Sequence, residues 1–445
     1  MSAKRARTLH VGESFFHAPE EETMKKIVDV DERLPILQTI PLSIQHLFAM
    51  FGATVLVPFL LKVDPATALL MNGIGTLLYL WICKGRLPAY LGSSFAFITP
   101  VLTVMSLPLG GYGAAQGGFI AFGLCFMLLS LIVSKVGVDW IDVMFPPAAM
   151  GAIVAIIGLE LAPSAMSMAG LVGDPAADLG IPADKAVGVS LFTLAVTVLV
   201  SMLGRGFFSV IPILTGVVAG YIASLCVGIV DLDAIAAAPW LAVPTFYQPV
   251  FNWQAIFIIL PAVFVVFAEH IGHLIVTSNV IGRDLMHDPG LSRSLFADGL
   301  ANVLSGFAGA TPNTTYGENI GVMAITRVYS VWVIGGAAVI AVLCSFVGKI
   351  AAVIHGIPVP VMGGVCVLLF GIIATTGLRM LVDRKVDYTK PSNMILTAVT
   401  MITGLSGAVL NVGPFHLKGM ALATVVAIVI ALTMRLIHRV MLAEE

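Results

Sequence analysis

Charged side chains are scarce in this sequence. They make up 11% of its 445 residues, whereas about a quarter of the residues of a soluble domain are charged. Hydrophobic residues account for 58%, and the mean hydropathy is +1.01. Several apolar runs reach the roughly 20 residues that a membrane-spanning helix requires. This composition excludes a water-soluble globular domain and predicts a membrane protein.

Other absences exclude whole classes of function. The five cysteines have no paired spacing, so neither a disulfide framework nor a zinc site is expected. A net charge of -2 and scattered basic residues exclude a nucleic-acid partner. No glycine-rich phosphate loop is present, so ATP-driven pumping is not supported. Glu269-His270-Ile271-Gly272-His273 lacks the spacing of a zinc protease motif, and we expect neither a metal nor a cofactor.

Apolar segments separated by loop signals predict fourteen membrane spans. If the N-terminus is cytoplasmic, 19 of the 23 basic residues fall on the cytoplasmic side, which places both termini there. The polar residues 1–35 lack the apolar core of a signal peptide and are predicted to form a cytoplasmic tail. The spans are predicted at residues 39–62, 65–83, 94–107, 117–134, 147–163, 188–203, 207–230, 253–280, 294–308, 319–327, 330–348, 360–377, 393–411 and 418–436.

The second half of the chain repeats motifs of the first half in the same order. Seven spans per half is an odd number, so the two halves are predicted to have opposite orientations, as in many secondary transporters. The matching pairs are Gln45-His46 with Glu269-His270, Asp64-Pro65 with Asp288-Pro289, and Asn72-Gly73 with Asp298-Gly299.

Two of the segments, one in each half, are too short to cross the membrane. The first follows Gly92 and contains Phe95, and the second follows Tyr316-Gly317 and begins with Glu318. Interrupted segments at corresponding places of inverted halves indicate a binding site near the bilayer midplane. Phe95 and Tyr316 either contact the ligand there or only pack.

Ionisable residues in apolar segments are the candidates for function. Glu269 and His273 are four residues apart and share a helix face, where a proton could pass between them. A carboxylate at mid-bilayer costs roughly 2.5 to 3.5 kcal/mol, which favours a functional role over a structural network. Glu318 is either a recognition group or an N-terminal cap. Structural or domain-bridging roles are expected for His46, Glu160 and Asp298.

The sequence resembles the nucleobase/ascorbate transporter family, and within it the bacterial uracil permeases. Residues Glu318 to Arg327 fit the family pattern Gln/Glu-Asn-x-Gly-x-x-x-x-Thr-Arg/Lys, and the similarity extends from about Leu34 to Val440. It also covers the segments Ser43 to Gly52, Pro88 to Phe97 and Glu269 to His273.

This resemblance implies an all-α polytopic fold of fourteen segments in two inverted repeats of seven, with short antiparallel strands in segments 3 and 10. It also implies a homodimer in the bacterial inner membrane, surrounded by lipid. The implied domains are a core at residues 36–140 and 251–350, and a gate at residues 141–250 and 351–440.

The resemblance further implies proton-coupled import of uracil. Glu269 and Glu318 would bind the pyrimidine ring, and the backbone amides of Phe95 and Gly317 would meet its carbonyl groups. Tyr316 would form a wall of the pocket, and His273 would take part in proton coupling with Glu269. Cys366 and Phe370 depart from the serine and tyrosine expected on the gate side, which puts affinity in doubt and not the substrate class.

Three alternatives stay open at this stage. A symporter for another nucleobase, such as xanthine or uric acid, would use the same plan. A passive channel would not need a paired carboxylate and histidine. A membrane enzyme would need a nucleophile or a metal set, and neither is visible in the sequence.

Overall fold

The structure is a computed structural model that describes residues 27–138, 140–413 and 415–443, and it is built mainly of helices. Strand β1 (Leu91–Ser93) interrupts the first half and continues into a 3-10 turn at Phe95–Phe97. The helices of the first half are α1 Ile36–Ala49, α2 Phe51–Leu61, α3 Pro65–Ile82, α4 Ile98–Ser106, α5 Gly111–Val136, α6 Ile141–Met144, α7 Pro147–Glu160, α8 Ala162–Met168, α9 Pro175–Asp178, α10 Ala183–Leu203 and α11 Pro212–Cys226.

The second half follows a similar order. Its strands are β2 (Asn313–Thr315), β3 (Val409–Val412) and β4 (Phe415–Lys418). Its helices are α12 Leu232–Ala237, α13 Trp253–Ile259, α14 Ala262–Ile281, α15 Leu291–Ala308, α16 Gly317–Thr326, α17 Val331–Ser345, α18 Gly348–His355, α19 Val359–Asp383, α20 Pro391–Leu405 and α21 Gly419–Ala443.

Each of the fourteen predicted spans overlaps at least one helix. Among the described residues, eight helical stretches are long and apolar enough to cross a membrane: α1 with α2, α3, α5, α7 with α8, α10, α13 with α14, α19 and α21. Four shorter apolar stretches accompany them, namely Phe95–Ser106, α11, α17 and α20. The multi-pass helical fold is therefore confirmed, and the count of fourteen crossings stays a prediction.

Helix ends follow local sequence signals. The Asp64 carboxylate accepts the Ala66 N–H at 2.9 Å, and Pro65 occupies the first position of α3, where its missing N–H costs no hydrogen bond. Helix α15 ends at Ala308, and the residue that follows it, Gly309, has a φ of +85°, which favours glycine. These signals fix the start of α3 and the end of α15, the helices that precede the two interrupted segments.

Close packing of small residues joins equivalent helices of the two halves. Helix α5 packs along α15, and α17 packs along α3, which is the same pairing with the halves exchanged. Gly123 of α5 and Gly299 of α15 leave no room for a β-carbon, because each lies against the other's carbonyl oxygen. A second packing group contains α7, α8, α10, α11, α19, α20 and α21.

Two regions differ from the sequence predictions. Strands β3 and β4 form an antiparallel hairpin with Val409 opposite Lys418. The predicted span at residues 393–411 was therefore too long, because α20 ends at Leu405. The apolar Val409 and Leu410 extended the hydropathy run although they belong to the hairpin.

The predicted tail is ordered where it meets the first helix. Residues 1–26 lie outside the described residues. Val28 and Val30 are buried, and the Val28 N–H donates to the Arg327 carbonyl oxygen at 3.0 Å. Arg283 pairs with Asp29 at 2.8 Å. The last residues of the tail therefore form a strap across the helices of the second half.

Candidate substrate-binding site

Two short strands cross at the centre of the molecule and join the two halves of the chain. Strands β1 and β2 are antiparallel and fully buried, with Leu91 opposite Thr315 and Ser93 opposite Asn313. The Ser94 N–H donates to the Pro312 carbonyl oxygen at 2.8 Å and extends the pairing. The predicted antiparallel strands in segments 3 and 10 are confirmed.

A short helix starts immediately after each strand. Phe95 begins the 3-10 turn that leads into α4, and Gly317 begins α16. The first N–H groups of a helix have no intrahelical acceptor. The N-terminal ends of both half-helices therefore present donors at the crossing point, where they suit an anion or carbonyl oxygens.

Glu269 and His273 on α14 face this crossing point. The His273 Nδ1 lies 3.0 Å from the Thr315 hydroxyl. A β-carbon on Gly317 would stand 3.2 Å from the His273 Nε2, so the start of α16 lies directly against the imidazole. The sequence-predicted pair thus lies beside the second half-helix.

The Glu269 carboxylate has an unused acceptor. Its Oε2 atom is buried and has no hydrogen-bond partner among the described residues. Glu318, in the first turn of α16, lies close enough to repel it electrostatically. Both side chains are half-buried. A buried acceptor without a donor is costly unless a ligand or a proton satisfies it.

Aromatic side chains also lie beside the crossing strands. Tyr316 is buried, and its hydroxyl donates to the Ser93 carbonyl oxygen at 3.0 Å. The Phe95 ring meets Phe370 of α19 edge to face, with 5.8 Å between the ring centroids. Cys366 lies one turn before Phe370 and is also buried. The structure thus brings all six predicted site residues to one region. Cys366 and Phe370, which replace the serine and tyrosine expected on the gate side, lie in the same region.

A polar network lies behind Glu269. His270 contacts Asp298 through Nδ1 at 2.9 Å and Ser294 through Nε2 at 2.5 Å, and Ser294 contacts the Tyr79 hydroxyl at 2.5 Å. Asn302 donates to Asp298 at 3.0 Å and to the carbonyl oxygen of Asn313 in β2. The network therefore ties α14 and α15 to strand β2.

Sequence reasoning expected a structural or domain-bridging role for Asp298 but missed its partners Ser294 and Asn302. Ser294, Asp298 and Asn302 follow one another at intervals of four on α15, and this spacing places them on one helix face. That pattern was available in the sequence. His46 has a similar bridging position, because the Asn319 side chain donates to its carbonyl oxygen at 3.2 Å and so ties α1 to α16.

The sequence model of a family described as the permease family matches residues 37–413. The chain belongs to the permease family. The permease is thus a multi-pass membrane transport protein and not an enzyme, and the family resemblance expected from the signature is confirmed.

Curated relatives cover nearly the whole permease. It is 61% identical to the uracil permease of Escherichia coli K12 over 413 residues, which are 93% of this chain and 95% of that protein. It is 58% identical to the uracil permease of Paenibacillus larvae over 420 residues, or 94% and 99% of the two chains. The uracil permease of Bacillus caldolyticus is 47% identical over 415 residues, or 92% and 94%.

Solved structures with low sequence identity share the fold of the permease. Murine solute carrier 26 family member A9, an anion transporter, is 11% identical with a TM-score of 0.68, over 92% of this chain and 69% of that chain. The transmembrane domain of the cyanobacterial bicarbonate transporter BicA is 16% identical with a TM-score of 0.59, over 91% and 100%. At these identities the likeness concerns the fold alone.

Proposed function

We propose that this permease imports uracil together with a proton by alternating access. The observation that carries the proposal is the buried Glu269 Oε2 without a donor, beside two half-helix N-termini whose N–H groups lack intrahelical acceptors. Uracil has two N–H donors and two carbonyl acceptors on one planar ring. Two carboxylates and two backbone amides complement these groups. The relatives named uracil permease favour this nucleobase.

The two glutamates have different roles in this proposal. Glu318 is held in the first turn of α16 and serves as a fixed recognition group for a uracil N–H. Glu269 shares a helix face with His273 and accepts the second N–H. Backbone amides of Phe95 and Gly317 donate to the carbonyl groups, and Tyr316 closes one side of the pocket.

Proton entry supplies the driving force. A proton that occupies the region of Glu269 and His273 favours uracil binding from outside, and its loss to the cytoplasm favours release. One charge that moves down about 100 mV supplies about 2.3 kcal/mol, which corresponds to roughly 50-fold accumulation. The electrostatic repulsion between Glu318 and Glu269 supports this coupling, since a proton on either carboxylate relieves it.

Alternating access requires two bodies that move against each other. We assign residues 36–140 and 251–350 to the core, and residues 141–250 and 351–440 to the gate. The packing of α5 on α15 and of α3 on α17, and the separate packing of α7, α8 and α10 on α19, support this division. The contact of Phe95 with Phe370 then lies between core and gate and closes the site.

The proposal also includes the orientation, the membrane and the oligomeric state of the permease. The excess of basic residues on one side supports an orientation with both termini in the cytoplasm. The relatives come from bacteria, which supports a location in the bacterial inner (plasma) membrane. We assign a homodimer through the gate, where exposed apolar residues such as Ile395 and Ile402 on α20 are available for contact with lipid or a second copy.

Uptake of labelled uracil into proteoliposomes tests the proposal. Wild-type protein should accumulate uracil when a pH gradient is imposed, and a protonophore should abolish the accumulation. Glu269→Gln and Glu318→Gln should each lose roughly 10-fold or more in binding, because each removes a charge-assisted hydrogen bond. Asp184→Asn, at an exposed first turn of α10, is the matched control. Uptake that ignores the protonophore would refute proton coupling, and normal transport by Glu269→Gln would refute the site.

The rival substrates and the channel hypothesis have separate tests. A thermal-shift panel that includes uracil, xanthine and uric acid should give the largest stabilisation with uracil. If xanthine stabilises more, the permease belongs to the alternative substrate class. A passive channel would equilibrate uracil without accumulation, whereas the symporter accumulates it and saturates.

A further inference from the structure

The strap, residues 27–33, is bound in place by the chain that follows helix α16. The Val28 N–H donates to the Arg327 carbonyl oxygen at 3.0 Å, and the Tyr329 N–H donates back to the Val28 carbonyl oxygen at 2.9 Å. Val28 and Val30 are both buried. Paired backbone groups and buried side chains together hold this short segment in one position.

The first attachment of the strap is the end of the half-helix α16. Arg327 follows the last residue of α16 and has a φ of +57°, which residues other than glycine rarely adopt. The last carbonyl groups of a helix lack donors within the helix, and the Val28 N–H satisfies one of them. Helix α16 begins at Gly317 and carries Glu318 in its first turn. The strap therefore holds the half-helix about 15 Å from the end that carries the proposed site.

The second attachment of the strap is the end of α14. Arg283 follows this helix, and its guanidinium lies 2.8 Å from the Asp29 carboxylate and 3.7 Å from the Asp31 carboxylate. Helix α14 carries Glu269. The same strap is thus attached to both helices that bring a glutamate to the proposed site.

A third attachment gives the strap a fixed base. The Arg33 guanidinium lies over the Trp332 ring, 3.7 Å from the ring centroid. The Ser330 hydroxyl donates to the Glu32 carbonyl oxygen at 2.6 Å. Trp332 lies in the first turn of α17, which packs along α1 and α3. The strap therefore joins the ends of α14 and α16 to a helix that is itself packed between others.

We propose that the strap is a positioning element for substrate binding, because it fixes the ends of α14 and α16 and so sets the distance between Glu269 and Glu318. This inference rests on the proposed binding of uracil by these two carboxylates. Two N–H groups of one planar ring reach two acceptors at hydrogen-bonding distance only when the acceptors keep a defined separation. Val28, Asp29 and Arg283 act on the ring only through the two helices.

Val28→Pro tests the attachment to α16. Proline has no N–H, so the hydrogen bond to the Arg327 carbonyl oxygen is lost. Equilibrium binding of labelled uracil to the full chain should weaken roughly 3- to 10-fold, as expected for the loss of one such hydrogen bond. Ile27→Pro is the matched control, because it adds the same ring one residue earlier, where the side chain is exposed and the N–H has no acceptor among the described residues. Its affinity should stay at the wild-type level.

Arg283→Gln tests the attachment to α14. The substitution removes the ion pair with Asp29, and uracil affinity should fall roughly 2- to 5-fold, because ion pairs of this exposure are weak. Arg283→Lys keeps the charge and should recover most of the affinity. Arg86→Gln is the matched control, since it breaks an exposed ion pair with Asp288 that joins the segment after α3 to the segment before α15.

Spin labels show whether the strap acts by position or only by stability. Val276 on α14 and Ile325 on α16 are both exposed. Val276→Cys and Ile325→Cys carry the labels in a chain with Ser at positions 83, 125, 226, 344 and 366. Electron paramagnetic resonance then gives the distribution of distances between the labels. We expect a narrow distribution with the native strap, a broader or shifted one in Val28→Pro, and no change in Ile27→Pro.

Equal uracil affinities for Val28→Pro and Ile27→Pro would overturn the proposal. A loss of affinity with an unchanged distance distribution would also overturn it, because the strap would then act through general stability. The distance measurement needs no uracil. If the wild type does not bind uracil, the proposed function fails, while the distance distributions of the two proline variants still decide whether the strap positions the helices.

Discussion

One added methyl group at Gly92 of strand β1 should be enough to disturb the proposed site. Its α-carbon faces the Tyr316 ring, and a β-carbon there would overlap three atoms of the phenol. Gly92→Ala therefore forces Tyr316 to move. The strand pairing prevents an easy escape, because Gly92 is opposite Thr314 and the Tyr316 N–H is held by the Tyr90 carbonyl oxygen at 2.9 Å.

The cost of this substitution has two parts. Overpacking of a buried position costs about 1 to 3 kcal/mol. The displaced ring also loses the 3.0 Å hydrogen bond from its hydroxyl to Ser93, which is worth about 1 kcal/mol. If the sum of about 2 to 4 kcal/mol falls on the binding-competent state, uracil affinity drops roughly 30-fold to several hundred-fold.

Equilibrium binding of labelled uracil to purified protein measures this loss. Gly321→Ala is the matched control: Gly321 lies on α16 near the site, yet a β-carbon there meets open space, so its affinity should stay at the wild-type level. Tyr316→Ala removes the overlapping ring. The double variant Gly92→Ala/Tyr316→Ala should therefore cost less than the sum of the two single variants. Wild-type affinity in Gly92→Ala, or strictly additive costs, would refute the packing argument.

Three further predictions concern the stability of the folded protein. Asp298→Ala removes the hydrogen-bond partner of His270 Nδ1 and of one Asn302 N–H, while His270 Nε2 keeps Ser294, and should lower the free energy of unfolding by about 1 to 3 kcal/mol in a denaturation experiment; equality with an exposed Asp184→Ala would contradict this. Gly158→Ala should cost about 1 to 3 kcal/mol in the same assay, since its β-carbon would overlap the backbone carbonyl of Phe370; an unchanged midpoint would disprove that packing. The Val30 N–H and the Arg283 guanidinium hold the pKa of Asp29 below its ordinary value, so its contribution, less than about 1 kcal/mol, is present at neutral pH and lost as the pH falls through the folded-state pKa. The difference between Asp29→Asn and wild type in pH-dependent unfolding should vanish in acid, and a difference that grows there would reverse the assigned sign.

The sequence was most informative where a residue type conflicted with its surroundings. Glu269 and Glu318 are charges in apolar runs, and the short segments after Gly92 and Thr311 break an otherwise continuous hydropathy pattern. Both signals are local, so the two interrupted segments could be predicted without knowledge of their partners, whereas the antiparallel strands were expected only from the family resemblance. The roles of the individual site residues stay predictions.

Contacts between distant parts of the chain could not be predicted in the same way. Ser294 meets Tyr79 and Asn319 meets His46 across more than two hundred residues, and nothing in the local sequence of either partner specifies the other. Glu160 binds a backbone N–H, which leaves no side-chain signature at position 420. The β3–β4 hairpin was hidden because the two valines and the leucine of β3 have the same hydropathy as residues of a membrane helix.

The pairing of β1 with β2 has a consequence for how the protein is made. Strand β1 leaves the ribosome roughly 220 residues before its partner, a delay on the order of 10 to 40 s at ordinary synthesis rates. During that time its backbone donors and acceptors have no strand to pair with at membrane depth, where unsatisfied groups are costly. The nascent first half must therefore keep this segment hydrated or shielded until the second half is inserted. A protein truncated before Asn313 lacks β2, so the backbone groups of β1 that pair with it in the full chain have no strand partner.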